Sequence, residues 1–511
     1  MTKISNNKRI AKNTLLLYLR MLLSMIVSLY TSRVVLESLG IEDYGIYNVV
    51  GGVVAMFTLL SNSLSSSISR FITFALGKND LSNLKKVFAT SLTIQIILIL
   101  VIFILLETVG VWFLNNKMVI PDNRIDAAFM VFQFSIITFV ISLFTTPFHA
   151  LIIAHERMSA FAYITILDVF FKLFVAYIIN YNPIDRLVFY GLILMVMSLL
   201  TCMLYIIYCY RNFIECRTGP IFDKQTMRKM FGFAGWNFIG ASSAVLRDQG
   251  GNILINLFYG PVVNAARGVA IQVNTAVSGF VTNFMIALNP QITKSYAMGD
   301  YEYMMKLVFQ GARLSYYILL ILSLPILVST PYILNLWLVE VPDHTINFVR
   351  LVLIFTMSES LANTLITAML ATGNIRNYQL VVGGCQMMNL PISYILLRNE
   401  FPPETIMIVA IIISIVCEFT RLYMLKGLIH LSVKSFLKDV YFNVIVVSVL
   451  AAIVPIVLNH YIHINFFSFL IITIVSVISA VVSILLIGCN RDERILVKSY
   501  ITIAKNKINK R

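Results

Sequence analysis

Long apolar runs separated by short polar connections make up almost the whole chain. A helix needs about 20 apolar residues to cross a hydrocarbon core of about 30 Å. Runs of that length fall near 11–35, 44–69, 86–112, 126–149, 159–180 and 187–210. A second set falls near 230–257, 264–289, 303–330, 346–372, 376–397, 404–425, 440–459 and 465–487. The pattern predicts an all-α integral membrane protein of about fourteen transmembrane helices, with both ends of the chain on one side.

Charge orients the array. Lys and Arg concentrate in the N-terminal arm, in the 70–86, 211–229 and 421–438 connections, and beyond Arg491. The intervening loops hold Arg33, Lys117, Arg124, Arg186, Arg267 and Arg398. Short basic loops stay in the cytoplasm during insertion, so the basic connections and both termini are expected there. The formal charge of +15 accompanies 59% hydrophobic residues. Charge placed beside membrane spans serves anionic lipid headgroups, and nucleic acid is not expected as a partner. The first span follows a basic arm but is too long for a signal peptide and lacks a small-x-small cleavage site, so it is read as uncleaved. The six cysteines form no C-x-x-C pair, and Cys202, Cys209 and Cys216 on one helix face read as packing or lipid contact rather than a metal site. No phosphate-binding loop is present, because Gly77-Lys78 lacks the upstream glycine and is followed by Asn79. Neither catalysis nor a cofactor is expected.

The chain also repeats itself. A shift of 220 lays Gly40 on Gly260, Val49 on Val269, Ile72-Thr73 on Ile292-Thr293, Asp80 on Asp300 and Lys86 on Lys306, and it superposes spans 1–3 on spans 7–9. Six-helix repeats keep the same orientation, which predicts two pseudo-symmetric lobes with binding between them. The expected division is an N-terminal lobe at 1–215, a C-terminal lobe at 216–430, and 431–511 as two appended helices and a basic tail.

Polar stripes mark four spans. Asn13, Arg20, Ser24, Ser28 and Thr31 share one face of the first, and Asn48, Gly52, Thr58, Asn62, Ser65 and Ser69 one face of the second. The seventh carries Asn237 and Asp248 beside Arg247, and the eighth Asn264, Arg267, Asn274 and Ser278. These helices are the expected cavity lining, although small hydroxyl residues also serve helix packing. Ionised groups weigh more, since each costs about 2.5–3.5 kcal/mol at mid-membrane. Lys172 follows Asp168 by four residues, the order of a helical ion pair. Arg247 adjoins Asp248, and adjacent helical residues point apart. Arg313 and Arg350 are expected to snorkel toward an interface. Arg20 has no acid on its own helix. Glu418 has Arg421 one turn on. Glu359, amid Ser358, Asn363 and Thr367, reads equally as a proton or sodium site or as a neutral packing residue, and Asp168 is the other candidate for ion coupling. Pro325 and the glycines between 232 and 251 permit bending.

Two stretches carry a family resemblance: Arg33-x5-Leu39-Gly40-x3-Tyr44-Gly45, and Phe233-Ala234-Gly235-Trp236-Asn237 through Leu257-Phe258-Tyr259-Gly260-Pro261-x2-Asn264-Ala265-Ala266. In them the chain resembles the O-antigen (Wzx-type) oligosaccharide flippases of the multidrug, oligosaccharidyl-lipid and polysaccharide (MOP) exporter superfamily. The resemblance implies a MATE-like fold in a bacterial inner membrane. It implies export of an undecaprenyl-diphosphate-linked repeat unit by alternating access through a cationic cavity, for O-antigen or other polysaccharide synthesis. Arg20, Arg247 and Arg267 are then the candidates for the diphosphate, since the arginine fork suits phosphate. Polysaccharide polymerase and glycosyltransferases would be its functional partners, and the last two helices could form a groove for the polyprenyl tail. A MATE-like drug or cation antiporter is the alternative, but it would offer carboxylates to its cargo. A membrane glycan polymerase would need a larger outer loop.

Overall fold

The computed structural model describes residues 3–55, 57–117, 120–179, 185–338, 341–462, 465–490 and 493–494. The basic tail beyond Arg494 and the side chains of Arg33 and Asn48 lie outside the described residues. The described residues are helical nearly throughout. The helices are α1 (Lys3–Ala55), α2 (Thr58–Gly77), α3 (Leu81–Leu105), α4 (Val111–Lys117), α5 (Ile125–Ala154), α6 (Met158–Ile178) and α7 (Arg186–Asn212). They continue with α8 (Lys224–Met298), α9 (Tyr301–Val328), α10 (Thr330–Trp337), α11 (Thr345–Thr372), α12 (Arg376–Met387), α13 (Asn389–Arg398) and α14 (Thr405–Ile429). The last are α15 (Val433–Phe436), α16 (Asn443–Tyr461) and α17 (Phe466–Ser483). Among the described residues, twelve segments are long and apolar enough to cross a membrane. The other two expected spans, 44–69 and 230–257, are not among those twelve. They are two of the four spans that carry polar stripes.

Two of these helices are too long for one crossing. At 1.5 Å per residue the 53 residues of α1 and the 75 of α8 would far exceed the bilayer core if straight. Each is broken at one glycine of positive φ: Gly40 (φ 80°, ψ 170°) and Gly260 (φ 77°, ψ −175°). That region is open essentially to glycine alone. The break in α8 doubles the chain back, because Arg267 hydrogen-bonds the carbonyl of Asp248, 19 positions earlier. The break in α8 sits at Gly260.

The 220-residue register runs further than sequence identity alone traces it. Helices α3 and α9 begin at Leu81 and Tyr301, α4 and α10 end at Lys117 and Trp337, and α5 and α11 begin at Ile125 and Thr345. Asn79 and Gly299, again 220 apart, both take positive φ, 52° and 76°.

The described helices form two compact units, one from within residues 1–242, 286–300 and 373–379 and the other from within residues 243–285, 301–372 and 380–494. In the first, α5 packs against α7 and α2, and α1 against α6. Its core holds Leu17, Ile68, Ile72, Phe88, Leu151 and Tyr205 in one cluster and Val50, Leu106, Phe132, Ile136 and Leu187 in another. Carboxylates start its helices: Asp80 accepts from the amide of Asn83, and Asp185 from those of Leu187 and Val188. In the second unit α11 lies between α9 and α14, and α17 packs on α16 and α9. Outward faces of α16 and α17 are aliphatic, with Ile445, Val449, Ile453, Ile471, Ile474 and Ile478 exposed as lipid contact requires. The chain is a multi-pass membrane protein.

Candidate functional site

Within the second unit, the two arms of α8 on either side of Gly260 and the facing sides of α11 and α14 enclose a cavity of about 450 Å³. Arg247, Asp248, Gln249 and Asn252 line it from the first arm, and Arg267, Asn274 and Ser278 from the second. From α11 come Phe355, Thr356, Glu359 and Asn363, and from α13 Asn389. The wall is polar because the stripes of both arms turn inward once the helix folds back.

The two arginines are held differently. Arg247 donates from Nε to Asp248 Oδ1 at 3.0 Å, and its Nη1 lies 3.9 Å from Glu359 Oε1. The expectation that neighbouring residues would point apart fails here, because the flexible arginine arm folds its guanidinium back along the helix and over the Phe355 ring, 4.9 Å from its centre. Arg267, on the second arm, is 4% exposed. Its Nη1 donates to the Asp248 carbonyl at 3.0 Å and to the Asn252 side-chain oxygen. Its buried Nε has no hydrogen-bond partner. Both of these acceptors are neutral oxygens, while the Asp248 carboxylate on the same wall is engaged by Arg247. Glu359 also accepts from Ser414 at 3.2 Å, and Thr356 donates to Asn274 at 2.5 Å.

A cavity of about 410 Å³ in the first unit includes Ser24 and Ser28 in its wall but not Arg20. Arg20 is half-buried over the Phe161 ring, 5.1 Å from its centre. Lys172 and Asp168 pair at 2.9 Å, with Asp168 also receiving a hydrogen bond from Thr201. Asn62 is exposed, Asn237 accepts from Gln379 at 3.3 Å, and Asn264 is half-buried with its side-chain oxygen unpartnered. Arg313 does not snorkel. It is 3% exposed and bonded to Glu493 at 2.7 Å and to the Asp439 carbonyl at 3.2 Å, because helix packing closes its route to the interface and supplies oxygens instead. Arg350 donates to Thr330 at 3.4 Å. Glu418 and Arg421 are both buried, and the Tyr441 hydroxyl donates to Glu418.

Sequence reasoning missed Gln249, Asn252, Thr356 and Asn389 as lining. Asn252 lies one turn from Asp248 and could have been found by extending that stripe; Asn389 faces the cavity only through tertiary packing.

Residues 9–296 match the family profile described as polysaccharide biosynthesis protein. None of the curated proteins matches the chain. Similar solved structures include an outward-facing multidrug resistance MATE family transporter of the MOP superfamily and a MATE transporter in the bent conformation. Each is 14% identical with a TM-score of 0.71, covering 83% of this chain and 96% of the other. A MOP superfamily transporter from Pyrococcus furiosus, described as having a binding pocket of reversed polarity, is 14% identical with a TM-score of 0.69, covering 84% and 96%. At such identity the likeness establishes the fold.

Proposed function

Because the chain belongs to the polysaccharide biosynthesis protein family and has the fold of MOP-superfamily transporters, we propose that it flips a lipid-linked oligosaccharide across a bacterial inner membrane. Family and fold point to a transporter rather than an enzyme. In this reading the cargo is an undecaprenyl-diphosphate-linked repeat unit, moved from the cytoplasmic to the outer leaflet by alternating access, with both termini cytoplasmic. The observation that supports it best is Arg267: a buried guanidinium on a cavity wall, bonded to neutral oxygens and keeping an unused donor. A diphosphate supplies the charge and the acceptors that such a group lacks. Arg247 stands beside it as a second cation whose acidic partners a phosphate would replace.

Reconstituted vesicles carrying undecaprenyl-diphosphate-linked glycan test the reading. Arg267→Ala and Arg247→Ala should each slow flipping by at least about tenfold, the loss of one charge-assisted hydrogen bond or more. Unchanged rates at normal protein levels would sink it.

Asp248 and Glu359 on the same wall favour a second reading, an antiporter of organic cations. Efflux of a cationic dye that is abolished by Glu359→Gln and indifferent to Arg267→Ala would establish that reading in place of the first.

A further inference from the structure

The register between the repeats assigns the two cavities to one ancestral design. Val27, Ser28 and Tyr47 stand 220 positions before Arg247, Asp248 and Arg267. Each cavity is walled by both arms of a helix broken at a glycine, at Gly40 in the first unit and at Gly260 in the second. Duplication thus produced the same pocket twice, and the charged positions of one are apolar, hydroxyl and aromatic positions in the other.

We propose that the first unit's cavity is a carbohydrate subsite, in which Tyr47, Tyr44 and Tyr190 pack against a sugar ring and Ser24, Ser28 and Thr31 exchange hydrogen bonds with its hydroxyls. The proposal rests on the flippase reading for its biological cargo, but the binding itself is a property of this cavity alone.

The chemistry of the wall selects the ligand class. At about 410 Å³ the cavity lies within the range of small-molecule sites, about 300–1,000 Å³. A pyranose has apolar C–H faces and a rim of hydroxyls, and tyrosine meets both with a flat ring and a polar tip. Tyr47 and Tyr190 are fixed edge to face, with ring centres 4.9 Å apart, so the aromatic platform is preformed. Serine and threonine hydroxyls both give and accept hydrogen bonds, as a sugar hydroxyl does. The Thr31 hydroxyl donates to the Val27 carbonyl at 2.7 Å, which leaves its oxygen to accept. An anion is disfavoured, because Lys172, the cation among the described residues of this wall, is already paired with Asp168. A lipid tail is disfavoured because a hydrocarbon offers no hydrogen-bonding group to the hydroxyls of Ser24, Ser28 and Thr31 on this wall.

Saturation-transfer NMR on the full chain in nanodiscs, with glucose, galactose, rhamnose and N-acetylglucosamine as probes, tests the subsite. At least one sugar should receive saturation from the wild-type protein. Tyr47→Ala and Tyr190→Leu should reduce that signal at least about fivefold, the worth of a lost contact near 1 kcal/mol. Tyr47→Phe and Ser28→Ala, which preserve packing, should reduce it less, and melting temperatures confirm that each variant is folded. Arg267→Ala should leave the signal intact. No sugar signal from wild type, or one that all the tyrosine variants retain, overturns the subsite. Binding of glycan-free undecaprenyl diphosphate, measured on the same samples, keeps the two ideas apart. Its loss in Arg267→Ala but not in Tyr47→Ala supports both, whereas absence of diphosphate binding beside an intact, tyrosine-dependent sugar signal removes the flippase reading and keeps the subsite.

Discussion

Arg267 lies against Gly251: a Cβ added to that glycine would stand 3.1 Å from the arginine Nη2. The glycine therefore sets how closely the guanidinium approaches the first arm of α8. Gly251→Ala should leave stability level or raise it by up to about 0.5–1 kcal/mol, as alanine does in a helix interior. Flipping should fall several-fold, because the guanidinium must move by tenths of an ångström. Thermal unfolding and vesicle flipping check the two halves, and a variant that melts early would refute the split.

The breaks at Gly40 and Gly260 carry a second prediction. An L side chain in that backbone region costs about 1–3 kcal/mol. Gly40→Ala and Gly260→Ala should each lower melting temperature and yield by comparable amounts, since both φ/ψ pairs agree. A silent substitution at either position would show that the helix there tolerates another turn.

Arg313 and Glu493 form a buried pair, 3% and 14% exposed at the side chains. Removing one partner strands the other. Glu493→Ala should destabilise by about 3–5 kcal/mol, and Arg313→Met together with Glu493→Leu should recover most of it. Denaturation in detergent with the double-mutant comparison decides this, and equal losses in single and double variants would contradict it.

A hydrogen-bonded clasp recurs at span ends in both units. Arg124 donates to Asp43 at 2.8 Å and to Asp185 at 2.5 Å, and 220 positions after Arg124 His344 contacts Glu404 at 2.8 Å. Burial opposes ionisation of Asp185 and Glu404. Hydrogen bonds nonetheless hold both below their ordinary values, from Arg124 and the Val188 and Leu187 amides in one case and from Asn347 and His344 in the other. Each carboxylate then contributes stability above an unfolded pKa of about 4, and that contribution disappears as pH falls through the depressed folded value. Asp185→Asn keeps the helix cap but removes the charge. It should flatten the drop in melting temperature between about pH 5 and 3, by no more than about 1 kcal/mol because the carboxylate is partly solvated. An unchanged pH slope would exclude the linkage.

Much of this architecture was legible in the residue pattern. Apolar run length reports bilayer thickness, so most spans could be placed. Gly40 and Gly260 were matched by register, but their role as breaks was not visible, because a glycine in a helical pattern reads equally as packing, cap or hinge. Arg247 and Arg267 stood out as costly charges. Which oxygens would satisfy them was hidden, since Asp248, Asn252 and Glu359 reach them through a folded-back helix and a packed neighbour.

By itself the sequence determined that this chain crosses a membrane many times and is built from a repeated unit, because hydropathy and periodicity act over one helix at a time. It also limited the buried cations to a handful. Only the tertiary structure decided which of them meet a carboxylate and which meet neutral oxygens. Pairing depends on distances between helices, and it was the turn at Gly260 that left Arg267 among neutral oxygens while Arg313 met a carboxylate. The same folding decided that the two equivalent pockets carry different chemistry on equivalent walls, since a polar stripe becomes a site only when a second surface closes over it.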